Sequence, residues 1–321
     1  MELITDAWHA TDLPREGVVT IGNYDGLHRG QRVIVDRVVA RACEVGGPAV
    51  VVSFDPHPQS VVEGRQGPPR LTTEEQKREL VEAAGVDALL VIRFDPDFAS
   101  RPAEKFVRDF LGRRLAAREI LVGSAFRFGN RREGNLELLQ GLGEELGFSV
   151  EGADELAYRG APISSTRIRR AVEEGDVELA AEMLGRPYEL VGRVVRGDRM
   201  GKRLGWPTVN LDAENELIPA DGVYATRIRF SGLAATFDSA TNIGTRPTVY
   251  ENYEQVVETH VLDFGSEVYD QRMRLRFHKR LREEKMFPTI MDLSAQIGRD
   301  VEATREFFLQ RRRREDMEAG G

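Results

Sequence analysis

Three stretches of this chain gather residue types that can hold or move phosphates. The first is Gly22-Asn23-Tyr24-Asp25-Gly26-Leu27-His28-Arg29-Gly30-Gln31. Its glycines free the backbone to turn sharply and to approach a ligand closely. A helix starting just beyond would aim unpaired N–H groups and its positive dipole end at an anion, with His28 in the turn. The spacing is neither Gly-x-Gly-x-x-Gly nor a Gly-Lys-Ser/Thr phosphate loop, so a plain strand-to-helix turn with a surface histidine stays open. The second stretch is Ile163-Ser164-Ser165-Thr166-Arg167-Ile168-Arg169-Arg170. Ser164 or Ser165 can cap a helix running to residue 174. Hydroxyls, a helix N-terminus and arginines then converge, either as a seat for polyphosphate or as a capped helix with a solvated basic face. The third stretch, residues 197–210, is a basic loop punctuated by Gly197, Gly201 and Gly205. Backbone amides with Lys202 or Arg203 could hold phosphates there. Thr208 and Asn210, two apart, point to the same side of a strand. Both are oxygen donors suited to Mg²⁺, which binds chiefly together with substrate phosphates. Further on, Glu258 and His260 share a strand face, where a carboxylate could act as general base for an alcohol. Residues 242–248 read as another polar turn.

The elements that must position these residues change character midway. Strands are expected at 18–21, 49–54, 88–94, 119–122 and 148–151. Helices are expected at 33–45, 102–115 and 136–146, and from a capping box of Thr72 and Glu75 to about 84. This alternation argues for a parallel sheet with helices on both faces, with ligands at the carboxyl ends of the strands. The unusual residues fall there: the His28 loop, Asp55-Pro56-His57-Pro58, and Gly123-Ser124-Ala125-Phe126-Arg127-Phe128-Gly129. Prolines on both sides hold the His57 loop extended. Its ring reads either as a nucleotide contact or as a local cap. The helix 177–184 ends on Gly185, and Pro187 follows, which sets a boundary between a domain 1–186 and a domain 187–321. Beyond it, short alternating strands at 189–195, 223–230, 234–239, 256–264 and 273–279 suggest an antiparallel barrel or sandwich. A final helix, 291–310, packs on it through Leu293, Ile297, Val301, Phe307 and Phe308. Arg311 to Arg314 read as a frayed, solvated end.

Composition narrows the function. The 321 residues carry a net charge of -8, 41% hydrophobic and 31% charged residues, ordinary for a globular chain of about two domains. The acidic balance argues against a sequence-independent nucleic-acid binder. No apolar run approaches the ~20 residues of a membrane span, and the N-terminus lacks the apolar core of a signal peptide. A cytoplasmic location is expected. Cys43 is the single cysteine and reads as a small buried hydrophobe. The five histidines show no metal-ligand spacing. Monomer and homo-oligomer both remain open.

The motifs together resemble the bacterial bifunctional riboflavin kinase/FMN adenylyltransferase (FAD synthetase) family. The first loop is similar to Gly-x-Phe-Asp-Gly-x-His-x-Gly-His, with Gln31 in place of the second histidine. Pro56-His57-Pro58 and residues 163–169 match that family's Pro-His-Pro and Ile-Ser-Ser-Thr-Arg-Ile-Arg. Ala125 stands where its Gly-x-Asp-Phe-x-Phe-Gly has aspartate. In the second half, Gly201-Lys202-Arg203-Leu204-Gly205-Trp206-Pro207-Thr208-Val209-Asn210 resembles the riboflavin kinase signature. Asn242 to Thr248, Glu258 to Phe264 and Leu281 to Phe287 resemble further kinase motifs.

The resemblance implies a Rossmann-like nucleotidyltransferase domain followed by a barrel kinase domain. ATP would bind through Gly22, Asn23, Tyr24, Asp25, His28, Gln31, Ser164, Ser165, Thr166 and Arg167. His57, Phe126 and Phe128 would border the FMN or nucleotide. In the kinase, Gly201, Lys202, Thr208 and Asn210 would hold ATP phosphates. Thr208 and Asn210 would also hold Mg²⁺, and Glu258 would deprotonate the ribityl 5′-hydroxyl of riboflavin. Arg282 and Phe287 would shape the flavin pocket. The implied partners are the small molecules riboflavin, FMN and ATP. Gln31 and Ala125 leave an alternative, a riboflavin kinase with a catalytically weakened N-terminal binding module.

Overall fold

The structure, a computed structural model, describes residues 1–62, 67–197, 200–247 and 253–319. The chain divides into two compact units, Met1–Ser165 and Thr166–Gly321.

The first unit is built on six strands: β1 (Glu2–Thr5), β2 (Val18–Ile21), β3 (Ala49–Asp55), β4 (Ala88–Arg93), β5 (Glu119–Gly123) and β6 (Ser149–Ala153). They pair in the order β1-β4-β3-β2-β5-β6, every pairing parallel. Val18, Val19, Thr20 and Ile21 are all buried, as are Val50, Val51 and Val52. A parallel sheet covered on both faces demands such unbroken apolar runs. The chain runs outward from β2 through β3 and β4 on one side and through β5 and β6 on the other. The order therefore reverses between β2 and β5, the place where open α/β sheets receive ligands. The helices are α1 (Arg29–Val45), α2 (Pro58–Val62), α3 (Glu74–Glu82), α4 (Pro96–Ala99), α5 (Ala103–Phe106) and α6 (Leu136–Leu146). A two-strand hairpin, β7 (Ala157–Tyr158) and β8 (Ala161–Pro162), precedes α7 (Ser165–Glu173), whose first residue closes this unit.

Several local expectations need correction here. The cap of α3 is Thr73 with Gln76, one residue later than expected, because the Thr72 hydroxyl instead faces Asp25 at 3.4 Å. The helix expected over 102–115 keeps α geometry only in α5 and continues as a π-helical stretch, Val107–Arg114. The loop after Pro56 is not extended throughout, since α2 starts at Pro58. Cys43 is exposed, lying one residue past the buried face that Val35, Val38 and Ala42 make on α1. β1 was not expected from the sequence.

The second unit continues through α8 (Val177–Leu184) into a closed barrel. Its strands are β9 (Tyr188–Val195), β10 (Val209–Ala213), β11 (Gly222–Phe230), β12 (Thr236–Pro247), β13 (Tyr253–Val261) and β14 (Arg272–Arg282). They close in the order β10-β13-β12-β11-β14-β9, all antiparallel. The expected polar turn at 242–248 is strand as far as Pro247, and Thr248 lies outside the described residues. Thr226, Ser239, Thr241 and Thr259 are fully buried. Their hydroxyls bond one another at 2.7–3.0 Å, which satisfies groups that would otherwise cost stability. A short helix, α9 (Met200–Arg203), precedes β10, and α10 (Ile290–Ala319) packs on the barrel. Asp300, Val301, Thr304 and Phe308, at helical spacing, are buried on it. The expected frayed end is helix: Arg311 bonds Glu315 at 2.9 Å and Arg312 bonds Asp238 at 2.6 Å.

Candidate active sites

The loop after β2 is held by its own side chains. Gly22 N donates to Val52 O at 3.0 Å. Tyr24 is buried, and its hydroxyl lies 2.5 Å from Thr20 Oγ1. Burial raises the Tyr24 pKa well above the usual tyrosine value, so the hydroxyl stays protonated. The buried Asp25 carboxylate accepts from Leu71 N at 2.9 Å and from Thr72 N at 3.3 Å. His28 is the N-cap of α1 and is only 7% exposed. Its Nδ1 accepts from Gln31 N at 3.3 Å, while Gln31 Oε1 accepts from His28 N at 3.2 Å.

Neighbouring loops converge on this turn. The Asn23 amide lies 3.0 Å from His57 Nε2, and Ser53 Oγ donates to Asn23 O at 3.1 Å. Ser165 Oγ donates to Asp25 O at 2.9 Å. The first loop, the His57 loop and Ser165 are thus brought together. Ser164 immediately precedes α7, and Thr166 and Arg167 lie in its first turn, counted with the second unit. Phe126 and Phe128 stack 5.3 Å apart after β5. Ala125 between the loop's arms is exposed. Thr72, which the sequence suggests as a helix cap, serves this turn instead; its hydroxyl accepts from Gly26 N at 3.3 Å.

In the barrel, register does the positioning. Asn210 of β10 stands opposite Glu258 of β13, and Glu258 stands opposite Asn242 of β12. On β13 the flanking Val257 and Thr259 are buried, whereas Glu258 and His260 are half-buried on the other face. Thr208 lies two residues before Asn210. Glycines leave room around both: a Cβ on Gly201 would collide with Trp206 O and come within 3.2 Å of Thr208 Oγ1, and one on Gly197 would displace the Asn210 amide. The side chain of Lys202 lies outside the described residues, as do Asp198 and Arg199. His260 Nδ1 lies 2.8 Å from Pro207 O, and Trp206 Nε1 donates to Ser294 on α10 at 3.2 Å. Arg282 Nη2 pairs with Asp300 Oδ2 at 2.8 Å, and its guanidinium sits 5.7 Å from the Phe287 ring centre. Asn242, in a stretch the sequence marks only as a polar turn and motif, stands in the Asn210–Glu258 row through its register with Glu258.

A family model described as FAD synthetase matches residues 10–167, and one described as riboflavin kinase matches residues 184–308. A bifunctional riboflavin kinase/FMN adenylyltransferase of Escherichia coli (strain K12) is 37% identical over 96% of this chain and 98% of its own length. One from Haemophilus influenzae is 34% identical over 96% and 99%. The chain belongs to this family. A crystal structure titled as a macrolide-efflux protein from Streptococcus pneumoniae shares the fold, with a TM-score of 0.86 and 25% identity over 95% of this chain and 99% of that one.

Both halves of the bifunctional riboflavin kinase/FMN adenylyltransferase family are therefore present, which favours two activities over a kinase alone. Among the described residues no helix is long and apolar enough to cross a membrane. Among them, too, no group of three His, Cys, Asp or Glu side chains could hold a metal ion. A Thr and Asn donor pair suits an ion whose other ligands are phosphate oxygens and water.

Proposed function

We propose that this chain converts riboflavin to FMN within residues 187–321 and FMN to FAD within residues 1–186, in the cytoplasm, with ATP as co-substrate of both steps. The observation that carries this reading is the register that sets Glu258 beside Asn210, with Thr208 two residues away.

In the kinase step Glu258 takes the proton of the ribityl 5′-hydroxyl. The hydroxyl oxygen attacks the γ-phosphorus of ATP, and ADP leaves. Gly201 and Lys202 border the phosphates, and the Thr208 hydroxyl and Asn210 carbonyl orient them. Mg²⁺ held by that pair would neutralise phosphate charge. Arg282, fixed by Asp300, presents Phe287 toward the flavin. In the transferase step a phosphate oxygen of FMN attacks the α-phosphorus of ATP, and pyrophosphate leaves. His28 donates to the phosphates, and the Gly22, Asn23 and Asp25 backbone together with Ser164 and Ser165 seats them. His57, Phe126 and Phe128 border the FMN. Catalysis by such groups is mainly positioning and charge stabilisation.

The test is to incubate the protein with Mg-ATP and riboflavin, and separately with Mg-ATP and FMN, and to resolve the flavins chromatographically. FAD is expected from both incubations. FMN that never proceeds to FAD would leave a kinase with a binding module.

A further inference from the structure

Gln31 departs from its family's pattern, and the structure gives it a definite task. His28 has the extended backbone of an N-cap (φ -69°, ψ 167°). Gln31 occupies the third helical position, where a Gln or Glu side chain can reach back to the cap. The two residues exchange hydrogen bonds: Gln31 N to His28 Nδ1 at 3.3 Å, and His28 N to Gln31 Oε1 at 3.2 Å. A neutral imidazole that accepts at Nδ1 carries its proton on Nε2. A ring fixed in this way presents one N–H donor in a constant direction at the N-terminus of α1.

We propose that Gln31 is a positioning residue for His28: its side-chain carbonyl closes the cap that commits Nδ1 as acceptor and keeps Nε2–H as the donor to a substrate phosphate. The inference rests on the proposed transferase role of His28, but its core is a property of the free protein. The histidine usual at this position in the family could carry charge to the phosphates itself. Here the equivalent side chain spends its oxygen on the first histidine instead.

The first readout is the His28 tautomer, from ¹⁵N–¹H spectra of the ligand-free full chain labelled on histidine, with His28→Asn assigning the signal. The Nε2–H form is expected in the wild type and in Gln31→Glu, which keeps the capping oxygen. A mixture of tautomers is expected in Gln31→Met, which has similar length and no acceptor. A single Nε2–H tautomer in Gln31→Met would overturn the proposal. The second readout is FAD formation from supplied FMN. A loosened donor should cost Gln31→Met about ten-fold or more in turnover, and Gln31→Glu should recover part of the loss. If Gln31 instead touched phosphate directly, its amide would be the useful group and the carboxylate would repel the substrate. Gln31→Glu would then be worse than Gln31→Met, and the positioning role would fall. If no FAD forms even in the wild type, the transferase reading fails while the tautomer result still decides the cap.

Discussion

In the first unit the residues proposed to meet ATP also hold their own loop together; in the barrel, among the described residues, other groups make the bonds that tie the scaffold. His28 caps α1, the Asp25 carboxylate anchors the backbone of Leu71 and Thr72, and Tyr24 is part of the core. In the barrel, Asn210, Glu258 and Asn242 form a row set by register. The holding there falls to other groups: the buried hydroxyls of Thr226, Ser239, Thr241 and Thr259, and α10 with its Trp206–Ser294 bond. A strand delivers alternate side chains to opposite faces, so one face can fold while the other does chemistry. A tight glycine turn has no second face to spare. Substitutions in the first loop should therefore damage fold and chemistry together, and substitutions in the barrel row should damage chemistry alone.

The largest effect is expected from Glu258→Gln. Loss of the base should slow FMN formation about 10²- to 10⁴-fold. Glu258 is half-buried and Gln keeps its shape, so thermal stability should fall by no more than about 1 kcal/mol, and conversion of supplied FMN to FAD should survive. A large loss of stability would erase the distinction between the units, and an unchanged kinase would unseat Glu258. Next is His28→Ala, where removing a donor aimed at transition-state charge should cost FAD formation about 10²- to 10³-fold. The same substitution removes a cap, so urea unfolding of the first unit should show a loss of about 0.5–2 kcal/mol. Activity lost with stability untouched would break the comparison from the other side.

How much of this could be read from the sequence differs between the units for the same reason. The parallel sheet was legible because buried strands are continuous apolar runs, as at residues 49–52, whereas the division of the chain at Ser165 and Thr166 lies well before the Gly185 and Pro187 that suggest a boundary in the sequence. The loops carrying His28, His57 and Phe126 were expected at the carboxyl ends of strands and follow β2, β3 and β5, whereas Ser165 was tied to the first loop only by the family resemblance. What was not legible was pairing. Nothing local distinguishes Thr72 from Thr73 as a cap; the buried Asp25, 47 residues away in sequence, decides it. The strand at 242–247 was hidden because Asn242, Gly244 and Pro247 are poor strand formers, and barrel closure overrides that preference. Arg311 and Arg312 looked solvated because their partners, His278 and Asp238, lie on strands far back in the chain.

Asp25→Ala tests the first loop without touching a donor. Its carboxylate serves the amides of Leu71 and Thr72, and leaving buried donors unsatisfied should cost about 1–3 kcal/mol. The cost should appear as lower stability of the first unit and faster proteolysis around residues 67–73. FAD formation should fall with it while FMN formation holds. Full stability in this variant would mean that the loop is held by its backbone alone, and the contrast with the barrel would be lost.

The smallest effect sharpens the other side, because the barrel keeps its own titrating group away from the proposed site. His278 on β14 is 8% exposed, accepts from Arg311 at 3.1 Å, and packs edge-on to Phe308. Burial first, then the charges of Arg311, Arg227 and Arg276, push its pKa down to about 3. The folded barrel thus holds a neutral imidazole, whereas the unfolded chain takes up a proton near pH 6.5. The stability is complete above that pH and drains away as pH falls toward 3, by about 1.4 kcal/mol per unit. His278→Asn retains an acceptor for Arg311 and removes the titration. The stability difference between wild type and variant should therefore shift toward the variant between pH 6.5 and 5.5, measured by urea unfolding. At pH 7.5, where His278 is neutral in both folded and unfolded chains, FMN formation should be unchanged, since His278 lies on β14 and outside the Asn210–Glu258–Asn242 row. A constant difference across that pH range would show that the imidazole is not held neutral. A kinase lost at pH 7.5 in a folded variant would show that the barrel does not separate its scaffold from its chemistry.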